Sequence, residues 1–468
     1  MHKSTWEKSA LKLTLSMIII ILLTSFYILP AEADEDLEHR AGEMLAPRAQ
    51  TMDNADILTE FYRNNDYELI WIENNELTPL GGELYSLLTE IENRGLVMDD
   101  YHLDEINGLW LSLRQQNVED IDPSLLARLE LKMTESFFLM AADLAAGQLE
   151  QDNLERKGIP SRLKPELKDI LKDIAREGEI YPGLEEIQPQ HPHYWRLKEE
   201  LKTRKENNGQ SSHIEEIIIN LERWRWLPRD LGDSHILTNQ PSFHLEFFEG
   251  EEIVIDMKTV VGKPDRPTPD ISSRLTHLVL SPRWYIPDSI AKQDHLPNIQ
   301  DDIDYLDERN FRVYEHDGER YEEVDPEEVE WEELSQNNFP YYLWQDAGPA
   351  NALGRVIFRF PNEDQIYLHD TPDRHLFEES ERAHSSGCIR VEDPMELTYY
   401  LLQDQPDWDE DRIQEKIDDR DETQVNLREP VDIYLTYFTV KPDPNAEGIA
   451  FYDDLYERNP ELKRALNL

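Results

Sequence analysis

Ile366-Tyr367-Leu368-His369-Asp370-Thr371-Pro372, followed after a short gap by His384-Ser385-Ser386-Gly387-Cys388-Ile389-Arg390-Val391, is the stretch on which the reading of this chain turns. The first run is a short β-type segment that delivers a histidine into an Asp-Thr-Pro turn. The second sets a glycine directly before Cys388, the one cysteine among 468 residues. A thiol attacks as the thiolate and needs a base within hydrogen-bond reach. His369, nineteen residues upstream, can supply it. Gly387 lets the backbone turn tightly and keeps a side chain out of the substrate's path. The backbone N–H groups of Gly387 and Cys388 are placed to hold an oxyanion. Arg390 adds positive charge that favours thiolate and can grip a carboxylate through two parallel bonds. His375 and His384 read as exposed or structural, because nothing pairs them with a nucleophile.

Around this segment the chain is strongly acidic, with 47 Lys+Arg against 99 Asp+Glu and a net charge of −52. Such a surface repels phosphates, which excludes a general nucleic-acid binder and argues against docking on anionic lipid. Hydrophobic residues make up 39%, enough for real cores, and the length suits about three domains of ~150 residues. A single cysteine allows no intrachain disulfide. There is no zinc ligand set, P-loop or EF-hand spacing, and the acidic run from Asp301 to Leu334 reads as a solvated face. Neither metal nor organic cofactor is expected.

The N-terminus reads as an export segment. Lys3, Lys8 and Lys12 precede an uncharged apolar run from Leu13 to Leu29, and Ala31-Glu32-Ala33 has the small-x-small form of a cleavage site. Two readings stay open, a signal peptide over 1–33 or a retained anchor at 13–29. Both put the rest of the chain outside the cytoplasm, in the periplasm or cell envelope. Residues 34–50 are polar and read as a disordered lead. The pattern over 51–201 is helical, with Ile57, Leu58, Phe61 and Tyr62 on one face. A linker and connecting helix follow over 202–232, with the polar stretch Lys202–Ser212 as the linker proper. Trp224, Arg225 and Trp226 read as a domain-seam cluster. From 233 to 445 the signal is β-rich, interrupted at about 288–345 by an insert too long for an ordinary loop. Residues 446–468 read as a C-terminal extension.

The His369 and Ser385-Ser386-Gly387-Cys388-Ile389-Arg390 pattern resembles the active-site signature of L,D-transpeptidases with the YkuD-type catalytic domain. Many members carry His where this chain has Ser386; a Ser there is familiar in the YcbB-like subgroup. Val260-Val261-Gly262-Lys263-Pro264, Leu280-Ser281-Pro282-Arg283-Trp284-Tyr285-Ile286-Pro287 and Gly348-Pro349-Ala350-Asn351-Ala352-Leu353-Gly354 are also similar to that subgroup, and Phe61-Tyr62 with Arg94-Gly95-Leu96 resemble its scaffold domain. The implied fold is α+β and multidomain: an N-terminal all-α scaffold domain, then a β-rich catalytic domain with an inserted capping subdomain. One departure stands out. The small peptidoglycan-binding domain usual in the subgroup is missing between Trp195-Arg196-Leu197 and the Glu222–Pro228 segment.

The resemblance implies Cys388 as nucleophile and His369 as base, with Gly387, Ser386 and Arg390 completing the catalytic group. It places Trp284, Tyr367, Asn351 and Ser385 at the substrate site. The implied partners are peptidoglycan stem peptides, a tetrapeptide donor and an amine acceptor, joined in a 3→3 cross-link. A monomer is expected, with wall-synthesis partner proteins left open. Two alternatives remain: an L,D-carboxypeptidase or other Cys–His peptidase with the same residues, and a non-enzymatic acidic scaffold in which Cys388 is an inert passenger. The export segment carries three Lys and two Glu, so the excess acid belongs to the remainder. That suits a saline or alkaline exterior, where screening relieves self-repulsion.

Overall fold

The computed structural model describes residues 32–116, 121–156, 159–207, 210–443 and 448–468. The export segment therefore lies outside the described residues, apart from its final Glu32-Ala33. Among the described residues no helix is long and apolar enough to cross a membrane.

The chain divides into two compact units, and the helical half is shared between them. One unit takes residues up to 89 together with 99–139 and 161–183; the other takes 90–98, 140–160 and 184–468. In the first unit, helices α1 (Glu32–Ala49), α2 (Ala55–Asn64), α3 (Pro79–Thr89) and α4 (Leu103–Arg114) precede the long α5 (Pro123–Ala146), whose residues from Met140 on count with the second unit, and α6 (Lys164–Glu177) follows in the first. The face read from the sequence on α2, with Ile57, Leu58, Phe61 and Tyr62, is buried. The disordered lead expected over 34–50 is instead the helix α1. Leu37, Ala41, Leu45 and Ala49 recur every four residues and are buried, a narrow stripe of small side chains that a polar composition conceals. The irregular run at Ile70–Trp71 is stapled to α5 by Glu130, which accepts from both backbone N–H groups, at 2.7 and 3.1 Å, and from the Tyr62 hydroxyl at 2.9 Å. Burial pushes the Glu130 carboxyl up to about 7.

A short helix α7 (Tyr181–Glu186) leads to α8 (Pro192–Glu206) and α9 (Ser211–Trp226). The polar stretch Lys202–Ser212 is thus mostly helix rather than linker. Leu197 and Leu201 bury one face of α8, and the charged residues simply face outward. Trp224 of α9 stacks on Phe438 at 4.5 Å, within the same unit as the strands that follow.

The β-rich part opens with β1 (Ser234–Asn239), β2 (His244–Glu249), β3 (Glu252–Gly262) and β4 (Ile271–Leu280). The insert then contributes β5 (Trp284–Tyr285), β6 (Phe311–His316), β7 (Tyr321–Val324) and β8 (Tyr342–Gln345), a separate four-stranded sheet ordered β5-β8-β6-β7. The cap therefore begins at Trp284, a few residues before the expected 288. After it come β9 (Val356–Arg359), β10 (Leu368–His369), β11 (Ala383–Ser385), β12 (Ile389–Val391), helix α10 (Pro394–Leu402) and the long β13 (Thr423–Thr436). Pairing runs β3-β12-β10-β9-β4-β13-β1-β2, and β2 pairs back to β3, so eight strands close into a ring. Closure leaves no free edge and gathers Leu245, Leu278, Phe358, Leu368, Ile389 and Ile433 into one core.

The C-terminal stretch is an integral part of this unit. β14 (Val440–Pro442) pairs with β15 (Ile449–Phe451), and Tyr456 donates to Gly262 O at the end of β3, at 2.6 Å.

Candidate active site

β10 and β12 are neighbours in parallel register, with Leu368 opposite Ile389 and His369 opposite Arg390. That pairing brings the histidine segment against the cysteine segment. Ile389 N–H donates to Tyr367 O at 3.2 Å, which fixes Cys388 beside Tyr367 at the mouth of the ring. Leu368 and Ile389 are buried in the core, so the strand alternation turns their neighbours toward the site.

His369 is buried, and its Nδ1 lies 2.5 Å from Asp370 O. A carbonyl only accepts, so Nδ1 carries the proton and Nε2 presents the lone pair. Burial lowers the imidazole to about 3, helped by the positive charge of Arg390. Cys388 is half-buried and its thiol is pushed up, first by burial, against the pull of Tyr367, Arg359 and Arg390. The resting pair is therefore a neutral thiol and a neutral imidazole, with the proton waiting to move. Asp370, whose carbonyl orients His369, is itself locked. Its carboxylate accepts from Arg355 N and Nε, both at 2.9 Å, and from Thr371 N at 2.8 Å.

The nucleophile loop is stitched from within. Ser385 Oγ donates to Cys388 O at 2.5 Å and accepts from Gly387 N–H at 3.1 Å. Gly387 sits at φ +114, a conformation only glycine adopts freely, and its carbonyl accepts from Thr268 Oγ1 at 2.8 Å. These bonds correct two expectations. Gly387 N–H is already engaged and is not an oxyanion donor, whereas Cys388 N–H has no acceptor among the described residues. Ser385 shapes the loop that carries the nucleophile rather than meeting substrate.

Asn351 is engaged in the same way. It is buried, its Nδ2 donates to Pro282 O and Asp346 O, both at 3.0 Å, and its Oδ1 accepts from Leu353 N at 2.7 Å. It ties together the two ends of the insert, which is a structural use of the side chain beside the substrate role expected of it. Arg390 is half-buried, with Nη1 on Asp373 at 3.1 Å and Nε buried without a partner. Ser386 is exposed beside the nucleophile, and its Oγ accepts from Arg266 Nη1 at 3.1 Å. Burial pushes the ionisation of the Tyr367 phenol well up; the Cys388 thiol beside it pushes the same way, and Trp284, on the first cap strand, pulls against them. Tyr367 is thus the hub of the site: it meets both Cys388 and Trp284 and its ring lies 5.8 Å from that of His369, while the Cys388 thiol itself points at Gln365 O, 3.9 Å away. His384 bonds Glu379 at 2.8 Å and His375 is exposed, both outside the chemistry.

Sequence reasoning missed Arg266. Its guanidinium grips Asp294 of the cap with two bonds, at 2.6 and 3.0 Å, and Gln293 at 2.7 Å, while also holding Ser386. Asp294 lies in a π-turn, Ala291–His295, and the Arg266 pair holds its carboxyl below the usual range. One arginine therefore ties the cap to the residue two before Cys388. Its only signal in the sequence was a basic residue in a proline-rich loop of an acidic chain. Arg359, 4.3 Å from the Tyr367 ring, was also missed.

Two family models match the chain. Residues 56–201 match the scaffold domain family, and residues 233–426 match the L,D-transpeptidase catalytic domain. The chain is 31% identical over 301 residues to a Haemophilus influenzae protein named "Putative L,D-transpeptidase", an alignment that covers 64% of this chain and 57% of that one. It spans little more than half the length of that relative. A solved L,D-transpeptidase from Mycobacterium smegmatis matches at 12% identity, over 44% of this chain and 58% of that one; its TM-score of 0.19 carries no argument.

Proposed function

We propose that this chain, which carries an L,D-transpeptidase catalytic domain behind a scaffold domain, is a peptidoglycan L,D-transpeptidase of the cell envelope that forms 3→3 cross-links. The observation that carries the reading is the pairing of β10 with β12. It sets a histidine whose Nδ1 is engaged beside the strand that the lone cysteine immediately precedes.

Cys388 attacks the carbonyl of the third residue of a tetrapeptide stem. Its proton passes to His369 Nε2 and on to the departing D-Ala amine, leaving a thioester. The amine of a neighbouring stem then attacks the thioester, and the proton returns through His369 to the thiol. The negative oxygen formed in each attack meets Cys388 N–H. The lowered His369 and raised Cys388 support a pair that stays neutral until substrate displaces water. The cap, with Trp284 on its inner side and Arg266 fastening it, excludes water so that an amine wins over hydrolysis. The mature protein is expected outside the cytoplasm, freed by cleavage near Ala33 or held by residues 13–29.

Incubation with disaccharide-tetrapeptides, followed by mass spectrometry, tests this. Cross-linked dimer with released D-Ala is the expected outcome. Tripeptide without dimer would move the assignment to an L,D-carboxypeptidase, and absence of both would remove it.

A further inference from the structure

The cap sheet has two unlike faces. Strand alternation and register put Trp284, Phe311, Val313 and Leu343 on the inner face, packed in the cap core. On the outer face, Tyr285 pairs with Trp344, Tyr342 with Tyr314, and His316 with Tyr321. These rings form one connected layer. Tyr314 stacks on Trp344 at 3.8 Å, Tyr285 and Tyr321 each lie 5.1 Å from Trp344, and Tyr321 lies 4.9 Å from Tyr342. Tyr285 is 51% exposed, Tyr321 46% and Tyr342 41%, three of the most exposed large apolar residues described. No aliphatic side chain occurs on this face. Its charges cancel: Arg312 bonds Glu323 at 2.9 Å and Asp346 at 2.7 Å, and Arg283 meets Asp346 at 3.2 Å. A contiguous exposed patch of this kind marks a binding surface.

We propose that the outer face of the cap sheet binds neutral carbohydrate, namely the glycan strand that carries the stem peptides. The proposal rests on the peptidoglycan reading above and adds to it a site for the sugar. The C–H bonds on one face of a pyranose lie flat on the negative face of an aromatic ring, and hydroxyls at its edge bond to phenol and guanidinium groups. A flat, all-aromatic, charge-balanced platform in a chain of net −52 suits an uncharged ligand. Nucleic acid and a second copy of this chain are both disfavoured by the same charge. One strand links the platform to the reaction site. β5 is the edge strand of the cap sheet; its Tyr285 faces the platform while the preceding Trp284 reaches Tyr367 beside Cys388. Four extended stem residues span about 13 Å, the reach with which a stem on a platform-bound sugar would have to round that edge to the thiol. The platform would also supply the wall contact that a separate peptidoglycan-binding domain provides in similar sequences.

Titration of the mature protein with a neutral N-acetylglucosamine hexamer, followed by tryptophan fluorescence and calorimetry, tests the proposal. Binding by the unmodified protein is expected. Tyr285→Ala and Tyr321→Ala, on different strands and both well exposed, should each weaken it about tenfold, while Tyr321→Phe keeps the ring and keeps binding. No binding by the unmodified protein, or Ala variants that bind equally well, would overturn it. So would sedimentation showing a dimer that the Ala variants dissociate, since the face would then join two copies. Cys388→Ala should still bind sugar. Sugar binding without D-Ala release would remove the transpeptidase reading and leave the platform; release without sugar binding would do the reverse.

Discussion

Two groups of buried histidines in the same unit look alike by their protonation and differ in everything else. His369 is lowered to about 3 by burial and Arg390, and His191 is lowered to about 3 by burial, then by His235 and Lys441. His193 and His235 are lowered as well. His191, His193 and His235 pack ring to ring at 4.6 and 5.6 Å against Trp224 and Phe248. Each keeps one ring nitrogen buried without a partner. His369 has its Nδ1 satisfied, and its strand lies in register beside the strand that follows Cys388. A depressed histidine is thus a mark of burial, and only the neighbour it can exchange a proton with makes it a base.

The sharpest way to break that contrast is substitution. Cys388→Ala should abolish acyl-enzyme formation, and His369→Ala should slow it by about 10²–10⁴-fold, each with a thermal midpoint near that of the unmodified protein. His191→Ala should do the opposite, lowering the midpoint while leaving acylation of the folded fraction by a disaccharide-tetrapeptide intact. Mass spectrometry of the acylated protein beside calorimetry reads both. Equal loss of acylation in all three would erase the distinction.

Acid is the next lever. The folded protein holds His191, His193 and His235 neutral, while the unfolded chain protonates them near 6.5. Their contribution is therefore fully present above about pH 6.5 and is lost as pH falls toward 3, by several kcal/mol in total. The carboxylates facing His235, from Asp230, Asp432 and Glu249, soften this, and Lys441 beside His191 and His193 steepens it. Chemical denaturation across pH 4–8 should show the fall, and His191→Phe should flatten it. A flat profile in the unmodified protein would count against a neutral cluster.

A smaller effect is expected from Arg266→Ala. Freed from Asp294 and Ser386, the cap should close less well, and the ratio of hydrolysis to cross-linking should rise severalfold with little change in stability. Product analysis on disaccharide-tetrapeptides would detect it. The smallest effect concerns solvent. The midpoint should hold or rise slightly as NaCl is raised toward molar levels, because screening relieves the repulsion among 99 carboxylates; a falling midpoint would refute a saline adaptation.

The pair at the centre of the site was legible because its parts lie close along the chain and their residue types state their chemistry. So was the change from helix to strand after Pro228. Contacts set by tertiary register were not. Asp294 reaches Arg266 across an insert, Thr268 reaches Gly387 across more than a hundred residues, and Asn351 spends its amide on carbonyls that no local pattern names. The helix α1 was hidden because its buried stripe is built partly of alanines. The aromatic layer of the cap was hidden because alternation on each short strand was visible, but not which rings would meet across the sheet.

The raised ionisation of Cys388 has a bearing on how long the protein lasts. Peroxide attacks thiolate far faster than thiol, and the product, a sulfenic acid, is rescued in many proteins by a second cysteine that traps it as a disulfide. This chain has no second cysteine. A thiol kept protonated at rest by its burial spends little time in the form that oxidants consume. The same burial that makes the resting thiol sluggish thus protects it where no internal partner exists to repair it.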